Sequence, residues 1–310
     1  MDLLRISNLH VSFPTKAGVV WASDGVDLEI KQGESLCLVG ESGCGKTIVA
    51  LGIMRLLPEN ARVNGEICFK EKNLLSLGKE EMRKIRGREI AMIFEQPATC
   101  LDPVFAVGDQ IAEAVRVHEK CSKKEARERS VELMEMVGIP SPQKRFRQHP
   151  HEFSGGMQQR AMIAIALAYN PSLLIADEPT TSLDVTIQAQ IMELLKDLIS
   201  KFKTSLFLIT HDLGVAAEMC DGVAVMYAGE ILEKGRVNEV FKYPKHPYTK
   251  ALLGAISNDR LKPIKGSVPE LTSLPSGCKF HPRCPLARDV CRDVRPEMKN
   301  GVRCHLWEKS

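Results

Sequence analysis

The sequence lacks a long hydrophobic segment, a marked excess of charge of one sign, and a recognisable secretory signal. No apolar run approaches the ~20 residues that a membrane-spanning helix needs. Residues 1–5 do not resemble a signal peptide, so we expect a cytosolic protein. With 42 basic and 39 acidic residues the net charge is only +3, which argues against a protein that binds nucleic acid electrostatically.

Cysteine is plentiful, but the expected cytosolic location argues against a disulfide framework for the ten thiols. Four of them, Cys278, Cys284, Cys291 and Cys304, lie within the last 33 residues. The other six are interpreted as small buried residues. Among these, Cys44 precedes a predicted helix by two residues, and a helix N-terminus lowers a thiol pKa, which predicts an oxidisable thiol.

Residues 40–47 fit the pattern G-x-x-x-x-G-K-S/T of a loop that binds nucleotide phosphates. An apolar run at 35–39 predicts a buried strand before the loop, and residues 47–57 predict a helix after it, which a chance glycine-rich turn would not require. Backbone N–H groups and the helix N-terminus bind phosphate in such loops. We expect Lys46 to reach the β- and γ-phosphates and the Thr47 hydroxyl to bind Mg²⁺. The candidate nucleotide-binding residues are Gly40, Glu41, Ser42, Gly43, Cys44, Gly45, Lys46 and Thr47.

Further polar residues follow predicted buried strands, where open α/β sheets bind ligands. Asp177 suits a role with Mg²⁺, directly or through water, and Glu178 can polarise an attacking water; a structural ion pair is the alternative. His211 also ends a strand, although a lone histidine is commonly structural. Glu95 and Gln96 stand between the apolar run 90–94 and Pro97, which cannot continue a strand.

Two segments precede predicted helices and have two readings each. Ser154, Gly155 and Gly156 form either an anion-binding helix start or an ordinary serine cap with a glycine turn. Asp184, at the end of a turn, either belongs to a site or caps the next helix.

An aromatic side chain near the N-terminus can stack on a nucleotide base. Phe13 is the first candidate, with a half-buried core residue as the alternative, and Trp21 is the second.

These motifs, in this order, resemble the ATP-binding cassette (ABC) family over residues 3–235. Residues 40–47 are similar to its Walker A loop, residues 173–177 to Walker B, residues 153–158 to its signature sequence and residues 182–184 to its D-loop. The resemblance implies catalytic roles for Glu178 and for His211 as the switch histidine, and ATP contacts for Phe13 and Asp177. It also implies that the partner subunit's ATP is contacted by Ser154, Gly155, Gly156 and Gln158, and that the D-loop residues are Ser182 and Asp184.

The resemblance implies an α/β fold, with a RecA-like P-loop ATPase core, an antiparallel β edge and a helical subdomain at about 97–158. Residues 107–138 have helical periodicity and no strand signal, which agrees with such an insert. We expect an edge strand at 3–13, a nucleotide-binding domain over 1–235, and a C-terminal extension over 236–310. The family's head-to-tail dimer would make one chain half of each of two ATP sites.

The segment after residue 94 departs from the family pattern. The family has a glutamine after Ile-Phe, where it meets Mg²⁺ and the attacking water, whereas this chain has Glu95 and then Gln96. Either residue can take the role. A carboxylate there adds negative charge beside the γ-phosphate, which predicts reduced hydrolysis or altered coupling to the membrane subunit.

The C-terminal region resembles the subgroup that imports dipeptides and oligopeptides. Residues 245–253 are similar to a marker of peptide and nickel importers, and the four clustered cysteines match positions that hold a 4Fe-4S cluster in the subgroup. From the residues alone, thiols separated by 5, 6 and 12 residues can bind a cluster or tetrahedral Zn²⁺. Unliganded thiols are the third reading.

The sequence therefore predicts an ATPase subunit of a peptide importer, peripheral at the cytoplasmic face of the membrane, with ATP, Mg²⁺ and an iron–sulfur cluster. Expected partners are a second ABC ATPase subunit, two transmembrane permeases and, indirectly, an extracytoplasmic solute-binding protein, but no nucleic acid. A paralogous heterodimer is favoured over a homodimer because a partner can supply a site without the Glu95 change. The alternatives are a nickel or metal-chelate importer ATPase, a non-transport ABC ATPase, and a redox-sensing regulator.

Overall fold

The computed structural model describes residues 2–181, 183–254, 264 and 266–307. The chain divides into two compact units. The first comprises Met1–Ser76 and Leu208–Ser310, and the second comprises Leu77–Phe207. Residues 236–310, the predicted extension, thus lie in the first unit. The predicted D-loop residue Ser182 is outside the described residues.

The elements are numbered in chain order. The strands are β1 Asp2–Thr15, β2 Gly18–Lys31, β3 Ser35–Val39, β4 Arg62–Phe69, β5 Lys72–Asn73, β6 Ile90–Ile93, β7 Leu173–Asp177, β8 Ser205–Thr210, β9 Gly222–Tyr227, β10 Glu230–Arg236, β11 Met298–Lys299 and β12 Val302–Arg303. The helices are α1 Lys46–Met54, α2 Lys79–Ile85, α3 Pro97–Cys100, α4 Val107–His118, α5 Lys123–Met136, α6 Pro142–Arg145, α7 Gly155–Ala166, α8 Val185–Phe202, α9 Leu213–Met219, α10 Val237–Lys242, α11 Pro247–Gly254 and α12 Val290–Asp293.

In the first unit, β1 lies inside an antiparallel sheet of order β2-β1-β4-β5. The prediction of an edge strand at 3–13 is therefore wrong, because alternation reports which face is buried and not how many neighbours a strand has. Its pairing with β2 shifts register between Ile6 and Leu9. In a regular strand, residues three positions apart point to opposite faces. The one-residue shift of register reverses the faces between Ile6 and Leu9, so both side chains are buried.

The strand before the phosphate loop, β3, pairs in parallel with β9, and β9 pairs with β10 as an antiparallel hairpin. Leu36, Cys37, Leu38 and Val39 are all buried, as expected for a strand covered on both faces. The short strand β12 pairs with β10 in antiparallel orientation, and β11 pairs with β12. The cysteine-rich end of the chain is thereby built onto the same unit as the phosphate loop.

In the second unit, β6 and β7 pair in parallel, and helices surround them. Every residue of 97–158 is described and none lies in a strand, as the helical periodicity predicts. Helix α5 begins with a capping box in which Ser122 and Glu125 exchange hydrogen bonds of 3.2 and 2.7 Å. Its buried side chains include Leu133 and Met134.

In the described part of the chain, no helix combines the length and the apolar character needed to span a membrane.

Candidate functional site

The phosphate loop runs between β3 and α1, and its glycines are required by close backbone contacts. A Cβ on Gly40 would lie 2.2 Å from the Met226 carbonyl oxygen, and one on Gly45 would lie 2.0 Å from the Ala22 oxygen. Gly45 also has φ of 106°, in the left-handed region, at the N-cap of α1. No other residue type fits these two positions without moving the neighbouring strands.

Lys46 is the first residue of α1, and its side chain lies back across the loop. Its ammonium donates hydrogen bonds to the carbonyl oxygens of Gly40 at 2.8 Å and Glu41 at 3.1 Å. The residue is only 7% exposed, whereas Thr47 beside it is exposed. The loop therefore presents a cation, a hydroxyl and a helix N-terminus together, which is the set of groups that binds a phosphate and its metal ion.

The Cys44 thiol has no lowered pKa. Its side chain is fully buried, and burial raises the pKa of the thiol, although Lys46 nearby opposes the shift. The prediction of a lowered pKa is wrong because loss of hydration outweighs the adjacent helix terminus and ammonium. Cys44 instead fills space beneath the loop, where its sulfur would lie 2.9 Å from a Cβ on Gly40.

Glu41 joins the loop to the C-terminal region, a role that the sequence does not indicate. Its carboxylate accepts two hydrogen bonds from the Arg283 guanidinium, at 2.7 and 3.0 Å. Its backbone N–H donates to the hydroxyl of Tyr248 at 3.0 Å. The separation of 242 positions between Glu41 and Arg283 explains why no local pattern could reveal the contact.

The marker at residues 245–253 has a structural function that accounts for Tyr248 at the loop. The buried Glu233 carboxylate accepts the backbone N–H groups of Lys245 and His246 at 2.8 and 2.9 Å. His246 then accepts the N–H of Tyr248 through Nδ1 at 3.0 Å. This chain of bonds begins helix α11 and aims the Tyr248 hydroxyl at the backbone of Glu41.

In the second unit, Asp177 is the last residue of β7 and Glu178 follows it directly. Asp177 is 3% exposed, and Glu178, the next residue, has φ of 46°. Left-handed backbone is uncommon for glutamate and turns its side chain sharply away from the line of the strand. The Glu178 carboxylate accepts the hydroxyl of Thr181 at 2.9 Å. Asp184 caps α8 by accepting the N–H of Ile187 at 3.0 Å, as one of the two sequence readings predicts.

Glu95 and Gln96 are both exposed in the turn after β6. The parallel register of β6 with β7 places Ile93 opposite Ala176. This is the last pair of the ladder, and Glu95 and Gln96 lie beyond the end of β6. Gln96 already begins the short helix α3, where its carbonyl accepts the Thr99 hydroxyl at 2.9 Å. Both residues therefore remain candidates for the position that the family gives to glutamine.

The signature segment opens helix α7. Ser154 caps it by accepting the N–H of Met157 at 3.4 Å, and both Ser154 and Gly155 are exposed. A Cβ on Gly156 would lie 2.7 Å from Cγ2 of Ile187, so this glycine lets α7 approach α8. Gln158 donates its amide to the Pro150 oxygen at 2.7 Å within its own chain. The capping and anion-binding readings of Ser154 are compatible, since capping uses only its hydroxyl.

The remaining candidates lie in the first unit. Phe13 pairs with Val20 and is half-buried, whereas Trp21 pairs with Ser12 and is 41% exposed. Cross-strand partners share a face and successive residues alternate, so the two rings are on opposite faces of the hairpin. Only one of them can therefore face a given base. His211 is exposed directly after β8.

The four C-terminal cysteines line one small cavity, together with His246, Phe280 and His281. Burial raises the pKa of Cys278 to about 12, and it also raises the pKa of Cys284. Across the described residues, no three Cys, His, Asp or Glu side chains are arranged to hold a metal ion. The predicted metal site is thus not present as a coordination sphere, although its four thiols share a cavity.

Comparison with known proteins agrees with these motifs. Residues 23–181 match the family described as ABC transporter, and residues 232–291 match the C-terminal region of oligopeptide/dipeptide transporters. The oligopeptide transport ATP-binding protein AppD of Bacillus subtilis is 50% identical, covering 99% of this chain and 97% of its own. The dipeptide transport ATP-binding protein DppD of Haemophilus influenzae is 46% identical, with coverage of 98% and 96%.

Solved structures match the cassette portion. The dimeric, post-hydrolysis ATP-binding cassette MJ0796 with ADP and Pi is 28% identical with a TM-score of 0.68, covering 76% of this chain and 98% of that one. CbiO1 from Clostridium perfringens is 25% identical with a TM-score of 0.64, covering 84% and 97%. The chain therefore belongs to the ABC transporter family, as an ATPase cassette that continues into the C-terminal region of the oligopeptide/dipeptide transporters.

Proposed function

We propose that this chain is the ATP-hydrolysing subunit that powers uptake of dipeptides or oligopeptides through an ABC importer. The observation that carries the proposal is the full-length similarity to AppD and DppD, which are named oligopeptide and dipeptide transport ATP-binding proteins. The match of residues 232–291 supports the same cargo, since it lies outside the cassette itself.

In the proposed reaction, water attacks the γ-phosphorus as the bond to the ADP oxygen breaks, and Glu178 takes the proton of the water. Lys46 binds the β- and γ-phosphates, and His211 contacts the γ-phosphate. Thr47 and Asp177 would hold Mg²⁺, which neutralises charge that develops on the phosphate oxygens. Oxygen donors at a loop hydroxyl and a buried carboxylate suit that hard cation.

Phe13 is assigned the contact with the nucleotide base. The contacts with the partner subunit's ATP are assigned to Ser154, Gly155, Gly156 and Gln158. Ser182 and Asp184 are assigned to the D-loop. The exposure of Ser154 and Gly155 at the start of a 12-residue helix supports this assignment, because both remain accessible to a second subunit. The internal hydrogen bond of Gln158 argues that its contact is the weakest of the four.

The four C-terminal cysteines are proposed to hold a 4Fe-4S cluster, with Zn²⁺ as the alternative. The donor set is all thiol, which suits both. The cavity that all four thiols line supports a shared bound group at this place. Cys278, Cys284, Cys291 and Cys304 would each supply a thiolate, and a bound cluster would supply a cross-link for the end of the chain.

The proposed partners are a second ABC ATPase, with a paralogue favoured, two membrane permeases and, through them, an extracytoplasmic binding protein. The proposed location is the cytoplasmic face of the membrane. The dimeric state of the MJ0796 cassette structure supports the pairing of two ATPases.

Co-purification of the chain with its permeases, followed by reconstitution in liposomes, tests the proposal. With binding protein and a radiolabelled dipeptide, we expect peptide uptake coupled to ATP hydrolysis, and a Lys46→Ala complex should show neither. Uptake of nickel without uptake of peptide would show that the cargo is nickel and not a peptide. An intact complex that binds ATP but does not hydrolyse it would instead favour the regulator.

A further inference from the structure

We propose that Arg283 is a positioning residue for nucleotide binding, which acts on the phosphate loop through Glu41. The inference rests on the proposed function only in taking residues 40–47 as the nucleotide site. It assigns a role in that site to the C-terminal region, which lies outside the cassette match at residues 23–181.

The contact between the two side chains is of the strong kind. Both guanidinium Nη atoms bind the two Glu41 carboxylate oxygens, at 2.7 and 3.0 Å. The Arg283 side chain is 5% exposed and that of Glu41 is 25% exposed, so water competes little for the pair. Paired, charge-assisted hydrogen bonds of this geometry fix orientation as well as distance.

Glu41 is held by every polar group it has. Its N–H donates to Tyr248 at 3.0 Å, and its carboxylate binds Arg283. Its carbonyl oxygen accepts from Lys46 at 3.1 Å and from the Cys44 N–H at 3.3 Å. A displacement of Glu41 would therefore move the carbonyl that orients the Lys46 ammonium, which is the group assigned to the phosphates.

Arg283 is itself rigidly supported, as a positioning residue must be. Its guanidinium lies 5.6 Å from the Tyr227 ring centre. Phe280, three residues earlier, is fully buried and packs edge-on against the same ring at 5.3 Å. The ring centres of Tyr227 and Tyr248 are 4.8 Å apart. One aromatic cluster therefore supports both Arg283 and Tyr248, the two residues that bind Glu41.

The opposite side of this segment is anchored by charge. Lys279 is 5% exposed and its ammonium lies 2.8 Å from the Asp24 carboxylate and 3.4 Å from that of Glu230. It also donates to the Ala228 oxygen at 3.0 Å. The segment 279–283 thus has independent anchors on both sides, and Arg283 is the residue through which it reaches the loop.

Calorimetric titration of the purified full chain with Mg²⁺ and ADP tests the proposal. We expect Arg283→Met to weaken binding about 10-fold, and Arg283→Lys less, because lysine keeps the charge but not the paired bonds. Glu41→Gln should weaken binding similarly. The variant with both substitutions should bind ADP no more weakly than the single variant of lower affinity, because both substitutions remove the same contact. Arg288→Met is the matched control, because Arg288 is exposed and its side chain has no ion pair among the described residues.

Steady-state kinetics separate positioning from general stability. We expect the KM for ATP to rise with kcat within about twofold in Arg283→Met, whereas loss of folded protein would lower kcat and leave the affinity unchanged. Should Arg283→Met fold poorly, Glu41→Gln probes the same contact. Wild-type affinity in both variants, with binding lost in Lys46→Ala, would overturn the positioning role alone. Unchanged binding in Lys46→Ala would instead overturn the proposed nucleotide site.

Discussion

The Lys279 ammonium lies 2.8 Å from the Asp24 carboxylate, which connects the cysteine-rich end of the chain to the middle of strand β2. Burial alone would raise the pKa of Asp24, but the hydrogen bond and charge of Lys279, with Arg295 and His10, hold it below its usual value. Glu230, on the other side of Lys279, has the opposite shift, since burial raises its pKa. Lys279 is therefore paired with two carboxylates whose pKa values shift in opposite directions, and Asp24 is the nearer of the two.

Replacing Asp24 by Asn should lower the free energy of unfolding at neutral pH by about 2 kcal/mol, because a buried ammonium loses its nearest carboxylate. A lowered folded pKa stabilises the fold above the unfolded value of about 3.9, and this contribution is lost as the pH falls through the folded pKa. Urea unfolding from pH 7 to pH 3 checks both points. The difference between wild type and Asp24→Asn should shrink below about pH 4; a constant difference would contradict the role of the charge.

Replacing Glu178 by Gln should leave ATP binding intact and slow turnover by ~10²–10⁴-fold, because the amide cannot accept the proton of water. Phosphate release by the assembled transporter measures turnover, and the trapped closed dimer should be visible as a larger species with ATP. Thr181→Val is a matched comparison, since it removes only the hydroxyl that bonds Glu178 at 2.9 Å. Unchanged turnover in Glu178→Gln would remove this residue from the mechanism.

Replacing Glu95 by Gln should raise ATP hydrolysis by the assembled complex about 3- to 10-fold, because it removes a negative charge near the γ-phosphate. With Glu95 in the position that the family gives to glutamine, Gln96→Ala should change the rate less. A larger effect at Gln96 would show that the one-residue shift is the correct reading.

Replacing Gly156 by Ala should destabilise the protein by about 1–3 kcal/mol, because the new methyl group would lie 2.7 Å from Cγ2 of Ile187. Gly155→Ala is the control, since its nearest neighbour is the end of the Leu183 side chain at 3.4 Å. Thermal unfolding compares the two, and Ile187→Ala should partly rescue Gly156→Ala. Equal melting temperatures for both glycine variants would exclude this packing role.

Oxygen-free purification should yield a brown protein with iron and acid-labile sulfide near four each per chain. Cys304→Ser should lose most of the iron, whereas Cys68→Ser should keep it, because Cys68 lies in strand β4 outside the four-cysteine cavity. Zinc near one per chain without iron would indicate the tetrahedral alternative. Absence of both metals would contradict a resident metal in the protein as purified.

Local patterns in the sequence were sufficient to predict functional groups that come from a single segment of the chain. Lys46 and Thr47 follow from a contiguous motif, and the strands and helices around them follow from apolar periodicity. The sequence also predicted the ABC family and the helical character of residues 97–158, because these depend on motif order and on a repeat of 3.6 residues.

Other features depended on distances that a sequence does not contain. Whether Ser154 and Asp184 cap their helices stayed open until the capping bonds were known. The pKa of Cys44 was predicted in the wrong direction because burial was not visible. The interior position of β1 likewise required the pairing of three strands.

The sequence by itself determined the chemistry of the phosphate loop, because binding a phosphate needs a short run of glycines, a lysine and a hydroxyl in fixed order. Only the tertiary structure showed that Tyr248 and Arg283 form hydrogen bonds with Glu41, because these residues come from distant parts of the chain and meet through side-chain packing. A local motif specifies what a loop can bind, whereas the contacts that hold the loop in place arise only when the chain has folded.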